Sequence, residues 1–489
     1  MLNFLKKQAN LTYTENGGLT YSTTENNCLD LFFRAGGMRD AKEKEILDIV
    51  TSAYAENPGI TMKILFYIRD IRGGLGERRF FRIAMKILSV YAPDAVERNI
   101  QYISEYGRYD DLLVFLNTPC ESCAVNEIKK QLESDIKSAN NNESVSLLAK
   151  WLPSVNASSD KTKLMGKKLA KLLGMSDKEY RQTLSQLRKY IDIIENHIRT
   201  YDYTFDYSKQ PSCAMFKYRN AFITYDKERY KQYLKEVQSG KEKINTSVLQ
   251  PYEIVRRCFS LFKEDTNERL SLDVTWNNLP SYGDNNENAI AVIDTSGSMT
   301  IGQRNSIRPI DVSLSLGIYF AEHNKGEFSN HFITFSENPR LIEIKGNDIY
   351  EKARYCKKFK ELANTNLEAV FKLILDTAVK NKLLQSDIPE KIYIISDMEF
   401  DSCIINGNSS PLFETMKKMY EKKGYKLPCV VFWNVASRNN NMPVTMSETG
   451  VTLVSGFSPL VFDMTISGDM SPLDAMNNII LSERYLVIK

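Results

Sequence analysis

The sequence predicts a multidomain chain in two parts: an all-α array of stacked helices, closed as a ring or open as a solenoid, followed by an α/β unit built on a doubly wound parallel sheet. Three observations predict it. The 489 residues exceed what one hydrophobic core usually supports. Before a polar, turn-forming stretch at 283–288, apolar residues recur at helical spacing almost throughout. After it, short and wholly apolar runs alternate with helical ones. The expected division is therefore 1–285 and 286–489.

In the first part the periodicity predicts helices over 41–54, 60–71, 77–91, 96–104, 112–116, 125–139, 145–151, 161–173, 178–198 and 227–237. Local signals mark several ends. Asn57-Pro58-Gly59 precedes one helix, Gly174 follows another, and Ser176-Asp177-Lys178-Glu179 reads as a capping box. Short helices with short links suggest antiparallel pairs stacked in the manner of HEAT repeats, although no repeat at a fixed period is present. In the second part, strands are expected at 289–293, 331–335, 341–344, 391–395 and 429–433, interleaved with helices at about 311–323, 348–362, 367–380 and 412–423. Such alternation implies a sheet whose ligands bind beyond the carboxyl ends of its strands.

Composition narrows the function classes. A hydrophobic content of 43% and a charged content of 26% are those of a folded protein. The eight cysteines are scattered and few for a disulfide scaffold of this length, so they are read as reduced thiols of a cytosolic protein. No apolar run approaches the roughly 18 residues of a membrane span, and the start lacks the pattern of a signal peptide. The net charge of +3 is uneven: about −2 from Glu287 onward leaves about +5 for the preceding residues, which points weakly to an anionic partner.

Residues just after parallel strands are where chemistry is expected, and that position holds Asp294-Thr295-Ser296-Gly297-Ser298. A carboxylate and two hydroxyls, two residues apart on one tight loop, can converge on a hard cation such as Mg²⁺ or Mn²⁺. This is the Asp-x-Ser-x-Ser metal-ion-dependent adhesion motif, and the unit resembles the von Willebrand factor A family. That family adds a Thr from a second loop and an Asp after a later strand; Thr365 and Asp397 stand at those places. The resemblance implies that the Ser and Thr hydroxyls bind the ion, that the acidic residues act largely through water, and that one coordination position is left for an acidic group of a partner.

The same loop does not read as a hydrolase. A nucleophilic serine needs a base, and the three histidines, His197, His323 and His331, do not follow strands near the loop. Cys120-Glu121-Ser122-Cys123 has zinc-type spacing without a second pair of ligands, and no phosphate-binding Gly-x-x-x-x-Gly-Lys motif occurs. No catalytic residue is expected.

Two basic elements stand out in the helical part. In Arg69-Asp70-Ile71-Arg72-Gly73-Gly74-Leu75-Gly76-Glu77-Arg78-Arg79, three glycines break one helix and start another, with Arg69, Arg72, Arg78 and Arg79 around the break. Guanidinium groups beside backbone N–H groups at a helix start suit a phosphate; the alternative is an inter-helix turn whose arginines pair with Asp70 and Glu77. Lys163, Lys167 and Lys171 recur at i, i+4, i+8 and form either an RNA-facing row or a solvated helix face.

A helical part followed by a von Willebrand A unit is similar in architecture to the Ro autoantigen (TROVE) proteins. Phrases such as Arg108-Tyr109-Asp110-Asp111-Leu112-Leu113, Ala149-Lys150-Trp151-Leu152-Pro153-Ser154 and Ile395-Ser396-Asp397-Met398-Glu399-Phe400-Asp401, with Arg69 to Gly74, resemble a broadly distributed family of uncharacterised proteins of that layout. The resemblance implies a cytoplasmic, non-enzymatic RNA-binding protein that holds small non-coding or misfolded RNA or its single-stranded ends, with the metal site recruiting a partner. The rival expectation is a protein-interaction scaffold whose metal site captures a carboxylate without RNA.

Overall fold

A computed structural model describes the chain except residues 2–4, 6–8, 192, 284–287, 302–306, 336–337, 360–365, 402–403, 406–407, 410 and 465–469. The chain is mostly helical, with a mixed six-stranded sheet in its C-terminal part. It begins with a small antiparallel hairpin, β1 (Leu11–Tyr13) and β2 (Leu19–Tyr21). The sheet comprises β3 (Ala289–Asp294), β4 (His331–Phe335), β5 (Leu341–Glu343), β6 (Lys391–Ser396), β9 (Cys429–Asn434) and β10 (Val451–Ser455). Two-residue strands β7 (Ile404–Ile405) and β8 (Asn408–Ser409) pair with each other between β6 and β9.

The spatial order is β10-β9-β6-β3-β4-β5, parallel except for β5 against β4. From β3 the chain steps outward to β4 and β5, then returns to β6 on the other flank and steps out to β9 and β10. The direction reverses between β3 and β6. The connections leaving their paired carboxyl ends therefore diverge and leave a crevice, the place where open parallel sheets bind ligands. Both strands are buried along their whole length, which is why they read as uninterrupted apolar runs.

The expected helices recur with shifted ends, and three readings change: the helix expected over 96–104 divides into Pro93–Asn99, a 3₁₀ turn Ile100–Tyr102 and Ile103–Tyr106. The helix expected over 178–198 is broken into Asp177–Tyr190 and Ile194–Arg199. Residues 112–116 fall within a 3₁₀ segment, Tyr109–Phe115. The helices Asn27–Ala35, Ser212–Tyr225, Pro251–Ser260, Thr266–Asn277 and Pro472–Ile480 were not anticipated.

The polar stretch proposed as a boundary lies mostly outside the described residues, at 284–287. One apolar core runs on both sides of it, from Tyr21 to Ile488, while a smaller aromatic core around Phe205, Tyr207, Phe222 and Tyr230 lies apart. The helix Asn27–Ala35 docks on β10, where Ser455 Oγ donates to the Phe32 carbonyl at 3.0 Å and accepts from Gly36 N–H at 3.1 Å. A Cβ at Gly36 would collide with the backbone of Gly456, so only glycine permits this approach. The C-terminal tail returns to the helical part: Lys489 N–H donates to Asn99 Oδ1 at 2.8 Å, and Arg484 pairs with Asp70.

Candidate functional site

Strand β3 delivers Asp294 to the crevice with no solvent exposure. Its Oδ1 accepts the Ser296 N–H at 2.9 Å, closing the tight loop, and its Oδ2 accepts the Ser396 hydroxyl from the end of β6 at 2.6 Å. Ser296 Oγ and Ser298 Oγ stand 3.0 Å apart. Asp397, one residue beyond β6, is also buried; it accepts from the Glu399 N–H at 3.3 Å and takes a hydrogen bond from Ser298. Between them, Met398 holds a left-handed backbone at φ 66°, a costly conformation for a residue with a side chain. Thr365 lies outside the described residues.

Four of the five residues that the motif singles out thus converge. Burial and the charge of Asp397 push the Asp294 carboxyl up, and burial pushes Asp397 up against the opposing pull of Arg438. Two buried carboxylates and two hydroxyls form an all-oxygen donor set, which fits a hard divalent cation such as Mg²⁺. Among the described residues no group of three or more His, Cys, Asp or Glu is placed to hold a metal; here hydroxyls join the two carboxylates.

Sequence reasoning missed the neighbours of this centre. Arg438 places a guanidinium N–H 2.9 Å from Asp397 Oδ2, and the same group reaches Glu15 Oε2 at 3.1 Å. Glu15 sits at the turn of the N-terminal hairpin, which is strapped to the loop after β6: its N–H donates to Glu399 Oε2 at 2.7 Å, and Thr14 Oγ1 donates to the Phe400 carbonyl at 2.5 Å. Asn439 bridges Glu15 and Glu399 at 2.9 and 2.8 Å. No motif marks Arg438 or Glu15, because each is recruited across a long separation in sequence.

Beside the centre opens a cavity of about 1140 Å³ that reaches from Ser298 and Arg438 into the helical part, where Arg39, Arg78, Arg79 and Arg108 line it. Arg78, at the start of the helix Arg78–Tyr91, is exposed and has no ion-pair or hydrogen-bond partner among the described residues. Partial burial and the like charges of Arg108 and Arg82, against the weaker opposing pull of Asp110 and Asp111, hold its guanidinium below its ordinary value, which an arriving anion would offset. Arg79 donates to the Arg39 carbonyl at 3.0 Å. Arg108 stacks 3.9 Å over the Trp151 ring and forks onto Asp110 at 3.0 and 2.8 Å.

The remaining expected RNA contacts are placed differently. Arg69 touches the cavity but is only 2% exposed, with Nε 2.7 Å from the buried Asp111. Arg72 lies outside the cavity and donates to the Glu105 carbonyl at 2.9 Å. The glycine break wraps the C-terminal tail: Asp70 accepts from the Arg72 N–H at 3.0 Å, from Arg484 at 2.7 Å and from Tyr485 Oη at 3.0 Å. Lys163, Lys167 and Lys171 lie on the helix Asp160–Leu172, away from the cavity; the first two reach Asp160 at 3.4 Å and Asp177 at 3.8 Å, and Lys171 is exposed. Leu164, on the same helix, is exposed as well.

His197 bonds to Asp202, His323 stacks on Tyr319 and His331 bonds to the Ser329 carbonyl; none lines the cavity. Cys120 is buried near the Ser89 and Pro93 carbonyls, and burial pushes its thiol up to about 11. The described cysteines are free thiols. No helix among the described residues is long and apolar enough to cross a membrane.

Two family models match the chain, both of them domains of unknown function: DUF2828 over residues 14–127 and 122–282, and DUF7788 over residues 288–477. The chain is 31% identical over 487 residues to an uncharacterized protein, L728, of Acanthamoeba polyphaga mimivirus, covering 92% of this chain and 83% of that one. Among solved structures it is similar to the crystal structure of the Deinococcus radiodurans RO (RSR) protein, with a TM-score of 0.34 and 10% identity over 94% of this chain and 99% of that one. With more than half of its length matched by one model and a relative matched nearly end to end, the chain belongs to the DUF2828 family.

Proposed function

We propose that this protein binds RNA in the cavity between its helical part and its sheet, beside one divalent cation held by a von Willebrand A-type centre. The observation that carries the reading is Arg78: an exposed guanidinium, unpaired among the described residues and repelled by Arg82 and Arg108, lining a cavity that also reaches Ser298. Arg79, at the same helix start, and Arg438, beside Asp397, supply further donors for phosphate oxygens. The ion would rest on Asp294, Ser296, Ser298 and Asp397, with Thr365 as the expected fifth residue, and would present positive charge to the same ligand. No imidazole lies near the loop, which supports binding without turnover.

The test is a filter-binding titration of single-stranded RNA at several salt concentrations, with Mg²⁺ and with a chelator. Log affinity should fall linearly with log salt, and chelation should weaken binding. Affinity no greater than that of an unrelated protein of similar charge would overturn the RNA reading and favour a scaffold that captures a partner's carboxylate at the ion.

A further inference from the structure

A second cationic cavity, of about 670 Å³, lies where the end of the helix Pro251–Ser260 meets the helix Ile349–Lys357. Lys263, Arg269, Lys345, Arg354, Lys357 and Lys358 line it, with Glu351 the single carboxylate among the described lining residues. Not all of this charge is available. Arg269 is held by Asp348 at 2.6 Å and Glu351 at 3.1 Å, and Arg354 donates to the Leu261 carbonyl at 2.7 Å. Lys345 has only a loose contact to Glu343, 3.6 Å away and exposed on both sides. Lys263 and Lys358 have no carboxylate partner among the described residues, and both are exposed.

Like charges gathered on one concave surface repel each other, and a ligand carrying several spaced negative charges relieves that repulsion. The aromatic residues select the class of polyanion. Phe259 lies beneath Lys357, with the ammonium 4.2 Å from the ring centre, and Tyr350 lies under both Arg269 and Arg354. Phe262, next in the chain to Lys263, is instead 74% exposed. A bare ring next in the chain to one of the cavity's cations suits a single-stranded nucleic acid, whose bases stack while its phosphates pair. The two cavities are also joined by one element: the helix Pro251–Ser260 carries Glu253 to the first and Phe259 to the second, six residues or about 9 Å along its axis.

We infer that this second cavity is a further contact for the same single-stranded RNA, with phosphates taken by Lys263, Lys345 and Lys358 and a base stacked on Phe262. The inference rests on the RNA reading above, and the test separates the two. Fluorescence anisotropy would follow labelled oligouridylates of about 5 and about 20 nucleotides, bracketing common single-strand site sizes. The proteins compared are the full chain, Arg78→Glu, the triple variant Lys263→Glu/Lys345→Glu/Lys358→Glu, and Phe262→Ala. All substituted side chains are exposed, so circular dichroism melts should match the parent.

The triple variant should flatten the log-affinity versus log-salt slope for the long strand by roughly 2, at about 0.7 per contact, and leave the short strand's binding in the first cavity unchanged. Phe262→Ala should weaken the long strand about five- to a hundredfold with the slope preserved. If Arg78→Glu alone weakens the long strand while the triple variant and Phe262→Ala bind it as the parent does, the second contact is overturned and the RNA reading stands. If the triple variant loses affinity but Phe262→Ala does not, and heparin competes as well as RNA, the cavity is a general polyanion surface and the inference fails. If the parent binds neither strand, the RNA reading fails and takes the inference with it.

Discussion

Arg69 and Arg78 sit nine residues apart in one arginine-rich phrase, yet their surroundings give them opposite roles, and alanine substitution separates these. Arg69 is 2% exposed, and its guanidinium contacts Asp111, which is fully buried. Breaking a buried pair typically costs about 3–5 kcal/mol because a charge is left behind. Asp111 keeps Arg82 at 2.6 Å and the Arg108 N–H at 3.0 Å, which places Arg69→Ala at the lower end, about 3 kcal/mol. With about 2.1 cal/mol/K of unfolding entropy per residue, 489 residues unfolding together give about 1 kcal/mol/K, so the melting temperature should fall by about 3 °C. Arg78 is exposed and holds no partner among the described residues, so Arg78→Ala should leave the melt unchanged. It should instead remove one charge-assisted contact, weakening RNA about 10- to 100-fold. Differential scanning fluorimetry and filter binding on both variants read the two effects. An unchanged melt for Arg69→Ala, together with an RNA loss equal to that of Arg78→Ala, would refute the division between structural and ligand-facing arginines.

Two further outcomes are expected. Mg²⁺ at 100 times its Kd should stabilise the parent by about 2.7 kcal/mol, and Asp294→Ala should abolish that response; an equal response in a thermal melt of both proteins places the ion elsewhere. Asp30 accepts the Thr24 N–H at 2.8 Å and the Thr24 hydroxyl at 2.6 Å, but burial dominates and pushes its carboxyl up to about 6. Its folded value exceeds the unfolded one near 3.8, so folding favours the protonated form; the associated stability is present below about pH 4 and is lost as pH rises through about 6, up to roughly 3 kcal/mol. Asp30→Asn keeps the acceptor without the titration, and its melt should lack that share of the parent's decline; parallel pH profiles would contradict the assignment.

The legible part of the fold was the part governed by local rules. Strands β3, β4, β6 and β9 agree with their apolar runs to within a residue, because a strand covered on both faces has no polar positions to blur it. Strand β10 escaped notice: Val451-Thr452-Leu453-Val454-Ser455 carries Thr452 and Ser455 within its apolar run, though every residue is buried. The loop of the candidate site was legible as a cluster because Asp294, Ser296 and Ser298 lie within five residues, and Asp397 because it follows a strand. The arginine phrase was legible as a break between helices but not in purpose. Its partners Arg484 and Tyr485 are 414 and 415 residues away, and Asn439 meets Glu15 across 424. No local periodicity carries such pairings, so arginines that bind a ligand and arginines that bind the fold look alike in sequence.

The loop that presents Arg438 ties the two halves of the candidate site together, and under the proposed function this lets them act on one ligand. Ser437 donates its N–H to the Gly37 carbonyl at 3.0 Å and accepts from Arg34 Nε at 3.0 Å, so residues of the helical part hold the backbone next to Arg438. Arg438 in turn holds Asp397, the carboxylate that the proposed ion would share. A cation at Asp397 would compete with Arg438 for the same oxygen, and a guanidinium released from that carboxylate has charge to offer a phosphate in the adjoining cavity. Coupling between ion and RNA then needs no hinge: one apolar core runs through both parts, and the exchange is confined to one side chain. Linkage makes such coupling reciprocal, so whatever factor the ion adds to RNA affinity, RNA adds to the affinity for the ion.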